Sequence, residues 1–88
     1  MEELEKLIIA PKKSIKNHIR ASLIIYSENN GISYFKARAD LITHLSNYQI
    51  SENQMTAWEN NSYQPIKEQW HDIAVFLGKK VTDIFYLI

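Results

Sequence analysis

Three histidines, His18, His44 and His71, are the side chains here best suited to metal or proton-transfer chemistry, and their spacing argues against both. They fall on three different predicted helices, and no two stand four residues apart as the ligands of a helical zinc site do. Asp72, beside His71, reads as an ordinary helix-surface neighbour. Cysteine is absent, which removes thiolate nucleophiles, sulfur-bound zinc and disulfides. Gly31 and Gly78 are solitary, so no glycine-rich phosphate loop exists. Serines and histidines are present without the strand–turn–helix context that exposes a nucleophile. The expectation is a protein that binds rather than reacts: no enzyme, no metal, no cofactor.

The elements that position a binding surface follow from composition and periodicity. Eighty-eight residues suit one domain, and 45% hydrophobic with 23% charged residues describes a globular chain. Two Gly and two Pro are too few turn-formers for a sandwich or barrel, so the predicted class is all-α. The longest apolar runs, such as Ile84–Phe85–Tyr86–Leu87–Ile88, fall short of the about 20 residues of a membrane helix. The acidic start Met1–Glu2–Glu3 is unlike a signal peptide. A cytoplasmic protein without membrane association is expected.

Pro11 separates a leader, residues 1–11, from a body, residues 12–88. In the leader, Leu4, Leu7 and Ile8 stand at helical spacing beneath Glu2, Glu3, Glu5 and Lys6. So short a helix does not hold alone in water and must dock on the body, bind a partner or fray. The body reads as five helices. Ser14 caps the first, whose stripe is Ile15, Ile19, Leu23 and Tyr26, and Gly31 ends it. Ser33 caps the second, with Ala37, Leu41, Leu45 and Tyr48 inward. Ser51 caps a short third helix with Met55 and Trp58 inward. After a polar loop, Pro65 opens the fourth, striped by Ile66, Trp70, Ile73 and Leu77 and ended by Gly78. Thr82 caps a final turn or two carrying Phe85 and Ile88.

Formal net charge is zero, yet the charges are not mixed. Residues 10–38 carry Lys12, Lys13, Lys16, Arg20, Lys36 and Arg38 against Glu28 alone, whereas residues 39–61 carry only Asp40, Glu52 and Glu59. The basic stretch can be a phosphate-facing surface or simply a solvated helix face.

The most specific pattern is Ile50–Ser51–Glu52–Asn53–Gln54–Met55–Thr56–Ala57–Trp58–Glu59–Asn60–Asn61, followed by Pro65 and Ile73–Ala74–Val75–Phe76–Leu77–Gly78. It resembles the phage-repressor-like helix–turn–helix family, of lambda-repressor or xenobiotic-response-element type, with its Ile/Val–Ser start, Trp–Glu–Asn–Gly, Pro-containing loop and Ile–Ala–x–x–Leu–Gly. The resemblance spans roughly residues 15–88 and is tightest over 50–78. It implies a compact five-helix DNA-binding domain whose third helix, about residues 51–60, lies in the major groove.

Residue chemistry agrees. Opposite Met55 and Trp58, the third helix carries Glu52, Asn53, Thr56 and Ala57, all short enough to enter a groove about 12 Å wide. Asn53 and Gln54 bear amides of the type that pair with adenine, and a glutamate can accept from cytosine. By position, the resemblance places Ser51, Glu52, Asn53 and Ala57 near base edges, and Asn60 and Ser62 near phosphates. It puts Tyr34 where the second helix begins against the backbone. Other phosphate contacts fall to Lys36, Arg38 and Lys67. It also implies a structural ion pair between Arg20 and Glu59. Two departures stand out. The stretches Arg20–Gly31 and Gly31–Ile50 are longer than usual, read as lengthened first and second helices kept in phase by whole turns of about 3.6 residues. Asn61 replaces the usual glycine and is the next best residue at positive φ.

Two functions follow as expectations. The first is a sequence-specific transcriptional regulator of phage or mobile-element type, a repressor binding double-stranded DNA as a homodimer joined through its C-terminal helix. The alternative is an antirepressor or modulator whose partner is a repressor protein, supported by neutral charge, Glu52 and the amphipathic leader.

Overall fold

Among the residues that the computed structural model describes, 3–88, the chain forms six helices and one two-stranded antiparallel sheet. Met1 and Glu2 of the leader lie outside the described residues. In order come α1 (Glu3–Ile9), a 3-10 turn (Lys12–Ser14), β1 (Ile15–Asn17), α2 (Ile19–Asn29) and α3 (Tyr34–His44). A second 3-10 turn (Ser46–Tyr48) precedes α4 (Glu52–Glu59), α5 (Lys67–Leu77), α6 (Val81–Ile84) and β2 (Phe85–Leu87). The radius of gyration is 12.5 Å, close to the about 12 Å of a compact chain this long.

Helix starts and stops follow local chemistry. Ser33 Oγ accepts from the Lys36 amide at 3.0 Å. Ser51 Oγ accepts from the Gln54 amide at 3.1 Å while Gln54 Oε1 accepts from the Ser51 amide at 2.8 Å, a reciprocal box. Three helices end alike, each on a residue at positive φ: Gly31 after α2, Asn61 after α4 and Gly78 after α5. At Asn61, for example, its own amide donates to Trp58 O and the Ser62 amide reaches back to Ala57 O. Asparagine therefore fills the turn that glycine usually makes.

The core collects Leu23, Ala37, Leu41, Leu45, Met55, Trp58, Trp70, Ile73 and Leu77 from the expected stripes. Tyr48 and Ile66, expected inward, are both exposed. Tyr48 lies in the 3-10 turn and donates its hydroxyl to Asp72 Oδ2 at 2.7 Å. That bond raises its pKa above the ordinary tyrosine value, helped by lesser desolvation and the charges of Asp72 and Glu68. Ile66 precedes α5 rather than entering it, and the buried Pro65 accepts from Trp70 Nε1 at 3.1 Å through its carbonyl.

Both ends of the body differ from the all-helical expectation. The first body helix starts at Ile19, not after Ser14, because Ile15–Asn17 is extended and pairs with Phe85–Leu87 in the register Ile15↔Leu87, Lys16↔Tyr86, Asn17↔Phe85. Asn17, not Ser14, supplies the local start signal: its Oδ1 accepts from the Ile19 amide at 2.8 Å. At the other end α6 is a single turn, started by Asp83 Oδ2 on the Lys80 amide at 3.1 Å rather than by Thr82. The chain then extends, as suits β-branched and aromatic residues given a partner strand. Bonds from His18 N to Ile84 O and from Ile88 N to Ser14 O continue the ladder. Ile84 and Phe85 are buried within their own chain, Phe85 stacked on Trp70 at 4.5 Å, so the expected C-terminal helix is shortened to the single turn of α6 and these two side chains are taken up by the core.

The helices α2 and α3 are eleven residues each. The connection Leu45–Ser51 is longer than a tight turn of about four residues, with Ile50 buried and Gln49 at positive φ. The leader helix α1 docks against α6 and β2 with Leu7 fully buried. Lys67 Nζ donates to the carbonyls of Ile8 and Ala10 at its C-terminal end, the latter at 3.0 Å, where a cation suits the helix dipole.

Candidate nucleic-acid interface

The short helix α4 has two unlike sides. Met55 and Trp58 are buried at 0% and 2% exposure, while Ser51, Glu52, Asn53, Gln54 and Thr56 are exposed and Ala57 is half-buried. Two polar clusters fix the helix between them.

On the α3 side, Arg38 grips α4 along its length. Its Nε donates to Glu59 Oε1 at 2.8 Å, one Nη to Thr56 Oγ1 at 2.9 Å and to Glu52 O at 3.2 Å, and the other Nη pairs with Glu52 Oε2. The expected Arg20–Glu59 pair is thereby corrected: Arg38 is the partner. With α2 starting only at Ile19, Arg20 sits in its first turn and is exposed. It still lines the same hollow as Glu59 and Arg38. Burial pushes the Glu59 carboxyl above its ordinary pKa, and the Arg20 charge pulls it partly back.

On the β1 side stands a neutral network. Asn17 Nδ2 donates to Trp58 O at 3.0 Å and to Gln64 Oε1 at 2.7 Å. Asn61 Oδ1 accepts from the Asn17 amide at 2.8 Å and from Gln64 Nε2 at 3.0 Å, and Asn61 Nδ2 donates to Asn17 O at 3.1 Å. Asn17 and Gln64 are buried. This joins β1 to the loop that follows α4.

Between the clusters the expected base-reading set narrows. Glu52 and Thr56 are bonded to Arg38, and the Ser51 hydroxyl is occupied as the helix cap. Asn53, Gln54 and Ala57, with Ser62 and Tyr63, line an open hollow of about 490 Å³. Of the expected phosphate contacts, Asn60 caps the end of α4 and Ser62 follows it, its hydroxyl donating to Ala57 O at 3.3 Å. Arg38 is taken up by α4, and the remaining three are placed differently. Tyr34 is half-buried and lines the hollow with Arg38, Thr56 and Asn60, its hydroxyl turned inside without a hydrogen-bond partner among the described residues. Lys36 pairs with Asp40 at 2.6 Å, one helical turn along, and Lys67 is held by the leader.

Lys12, Lys13 and Lys16, part of the basic stretch expected to face phosphates or solvent, are not among the individually expected phosphate contacts. Lys12, Lys13 and Lys16 line a second hollow, about 350 Å³, whose other walls are Ile15, Asn61, Ser62, Tyr63 and Gln64. Lys16 Nζ donates to Asn61 O at 3.3 Å, and Lys12 Nζ lies 5.8 Å from the Tyr63 ring centroid. The charge tally marked this stretch, but only the β1 pairing carries it to the α4 loop. The histidines are dispersed: His18 stacks on Tyr86 at 4.4 Å, His44 Nε2 lies 3.1 Å from Asp72 O, and His71 is exposed. Among the described residues no three His, Asp or Glu side chains group closely enough to hold a metal ion, and no helix is long and apolar enough to cross a membrane.

Set against known proteins, the chain matches no family model, no curated protein sequence and no solved structure.

Proposed function

We propose that the chain is a sequence-specific regulator of transcription that binds double-stranded DNA with α4 in the major groove. The observation that carries this reading is the uncovered arc of α4. Asn53 is exposed and has no side-chain bond to the described residues of its own chain, Gln54 is exposed with its Oε1 held in the cap, and Ala57 is half-buried at the hollow. Met55 and Trp58 anchor the opposite side, and the reciprocal cap stiffens the entering end. Side-chain amides at the leading end of such a helix suit adenine, and a small residue such as Ala57 suits a thymine methyl group. Arg38 and the Asn17–Asn61–Gln64 network keep the helix from turning, which base reading requires.

A homodimer on a palindromic site, with half-sites about one helical turn apart, completes the proposal. The modulator reading loses the support it drew from the leader, because α1 lies on α6 and β2 with Leu7 buried and is not free to enter another protein's groove.

Quantitative binding to the chain's own upstream DNA and to a random duplex, at two salt concentrations, tests this. Asn53→Ala should cost about 1–3 kcal/mol at particular base pairs and leave thermal unfolding unchanged. Equal losses on every sequence overturn base reading by Asn53. A stable complex with a repressor protein and no binding to any duplex would favour the modulator.

A further inference from the structure

The hollow beside α4 has three lysines and no carboxylate among its eight lining residues, in a chain whose formal net charge is zero. The acidic groups nearest α4, Glu52 and Glu59, are turned to Arg38 on the opposite flank. We infer that Lys12, Lys13 and Lys16, together with the Tyr63 hydroxyl, form a binding site for the phosphate backbone of duplex DNA. This deepens, and rests on, the reading of α4 as a groove helix. Lys12 and Lys13 come from the 3-10 turn and Lys16 from β1. Ser62 and Tyr63 line both this hollow and the one under Asn53 and Gln54, so the two surfaces are continuous. A helix lying in a groove about 12 Å wide has a phosphate strand along its flank, and lysine and tyrosine side chains are ordinary donors to phosphate. The buried Asn17–Asn61–Gln64 bonds hold β1, and with it Lys16, in fixed register with the loop after α4. Lys16 is therefore placed before any ligand arrives, with Lys12 and Lys13 exposed beside it, while Lys36 and Lys67 are occupied by Asp40 and by the leader.

The test measures binding to a random duplex and to the chain's upstream DNA across a salt series. It compares wild type, Lys12→Gln/Lys13→Gln, the same with Lys16→Gln, and Lys79→Gln/Lys80→Gln, which lies outside both hollows. Thermal unfolding checks each fold, and the double variant retains the Lys16 contact to Asn61 should the triple variant misfold. Each phosphate neutralised contributes a slope of about 0.9 to log affinity against log salt. The double variant should lose roughly two such units and the triple variant roughly three. Going from about 50 to about 200 mM salt should then weaken wild type about 40-fold more than the triple variant. Lys79→Gln/Lys80→Gln should keep the wild-type slope. Unchanged slopes in well-folded lysine variants overturn the inference, even if Asn53→Ala still acts at particular base pairs and the proposed function stands. Slope losses without any preference for upstream DNA support the inference while removing base reading. Inorganic phosphate binding as tightly as duplex, seen by shifts of the lysine side-chain resonances, overturns it in favour of a small-anion site. No duplex binding at the lowest salt overturns it as well.

Discussion

The flanks of α4 are held by different physics. On the α3 side one guanidinium, Arg38, gathers two carboxylates and a hydroxyl, with Arg38 and Glu59 largely covered but Glu52 75% exposed. On the β1 side the holding groups are neutral amides, Asn17, Asn61 and Gln64, bonded to one another and to the Trp58 carbonyl in a largely buried network. A charged clamp near the surface is weakened by salt and by protonation, while amide bonds answer to neither. The division has a consequence for charge. Arg38, with Arg20 lining the same hollow, balances the two carboxylates of its flank, and the amide network leaves the neighbouring lysines without carboxylate partners. A chain of zero net charge can thus present one basic face beside one neutral face.

The comparison is broken most severely at Asn17. Asn17→Ala removes three side-chain bonds and strands the Gln64 acceptor and the Ile19 donor in a buried place, while the Trp58 carbonyl keeps the Asn61 amide. Leaving each buried polar group unsatisfied costs about 1–3 kcal/mol, so two stranded groups should cost about 2–6 kcal/mol in urea unfolding. A loss below about 1 kcal/mol would mean that the network does not hold β1.

Arg38→Ala should do less, about 2 kcal/mol, because the clamp is partly solvated and only Glu59 is left covered without its partner. The double change Arg38→Met with Glu59→Gln should recover much of that loss, since the buried charge leaves with its partner. The same unfolding measurement at low and high salt should show Arg38→Ala converging on wild type, whereas the Asn17→Ala deficit stays constant.

The smallest effect is one of pH. Glu59 is raised by burial above its ordinary pKa, so in the folded chain it binds its proton more tightly than when unfolded. Its stabilising contribution is therefore fully present below the unfolded pKa and is lost as pH rises through the higher folded value. Stability of wild type relative to Glu59→Gln should decline as pH climbs above the ordinary value of 4.5. A difference that instead grows with pH would show that Arg38 dominates the site over desolvation.

What could be read from the chain divides along the same line. The starts at Ser33 and Ser51, the stops at Gly31, Asn61 and Gly78, and the inward pair Met55 and Trp58 were all legible, since each signal lies within about five residues of its effect. Ile15 misled because a buried isoleucine continues a helical stripe and a strand equally well over so short a run. Asn17 is as good a cap as Ser14 by type, but nothing local says that its amide also meets Gln64. Arg20 and Arg38 are alike as sequence, and only the late start of α2 decides which one reaches Glu59.

By itself, then, the amino-acid order determined the helical character of the middle of the molecule and the buried side of α4, because capping, periodicity and left-handed stops are short-range, while Arg38 decided how much of the opposite side stays bare. Tertiary structure alone decided the β1–β2 pairing, the choice of arginine, the seat of the leader and the meeting of Lys12, Lys13 and Lys16 with Tyr63. These depend on partners far apart along the chain, whose meeting is set by burial of Ile15, Ile84 and Phe85 together rather than by any local preference.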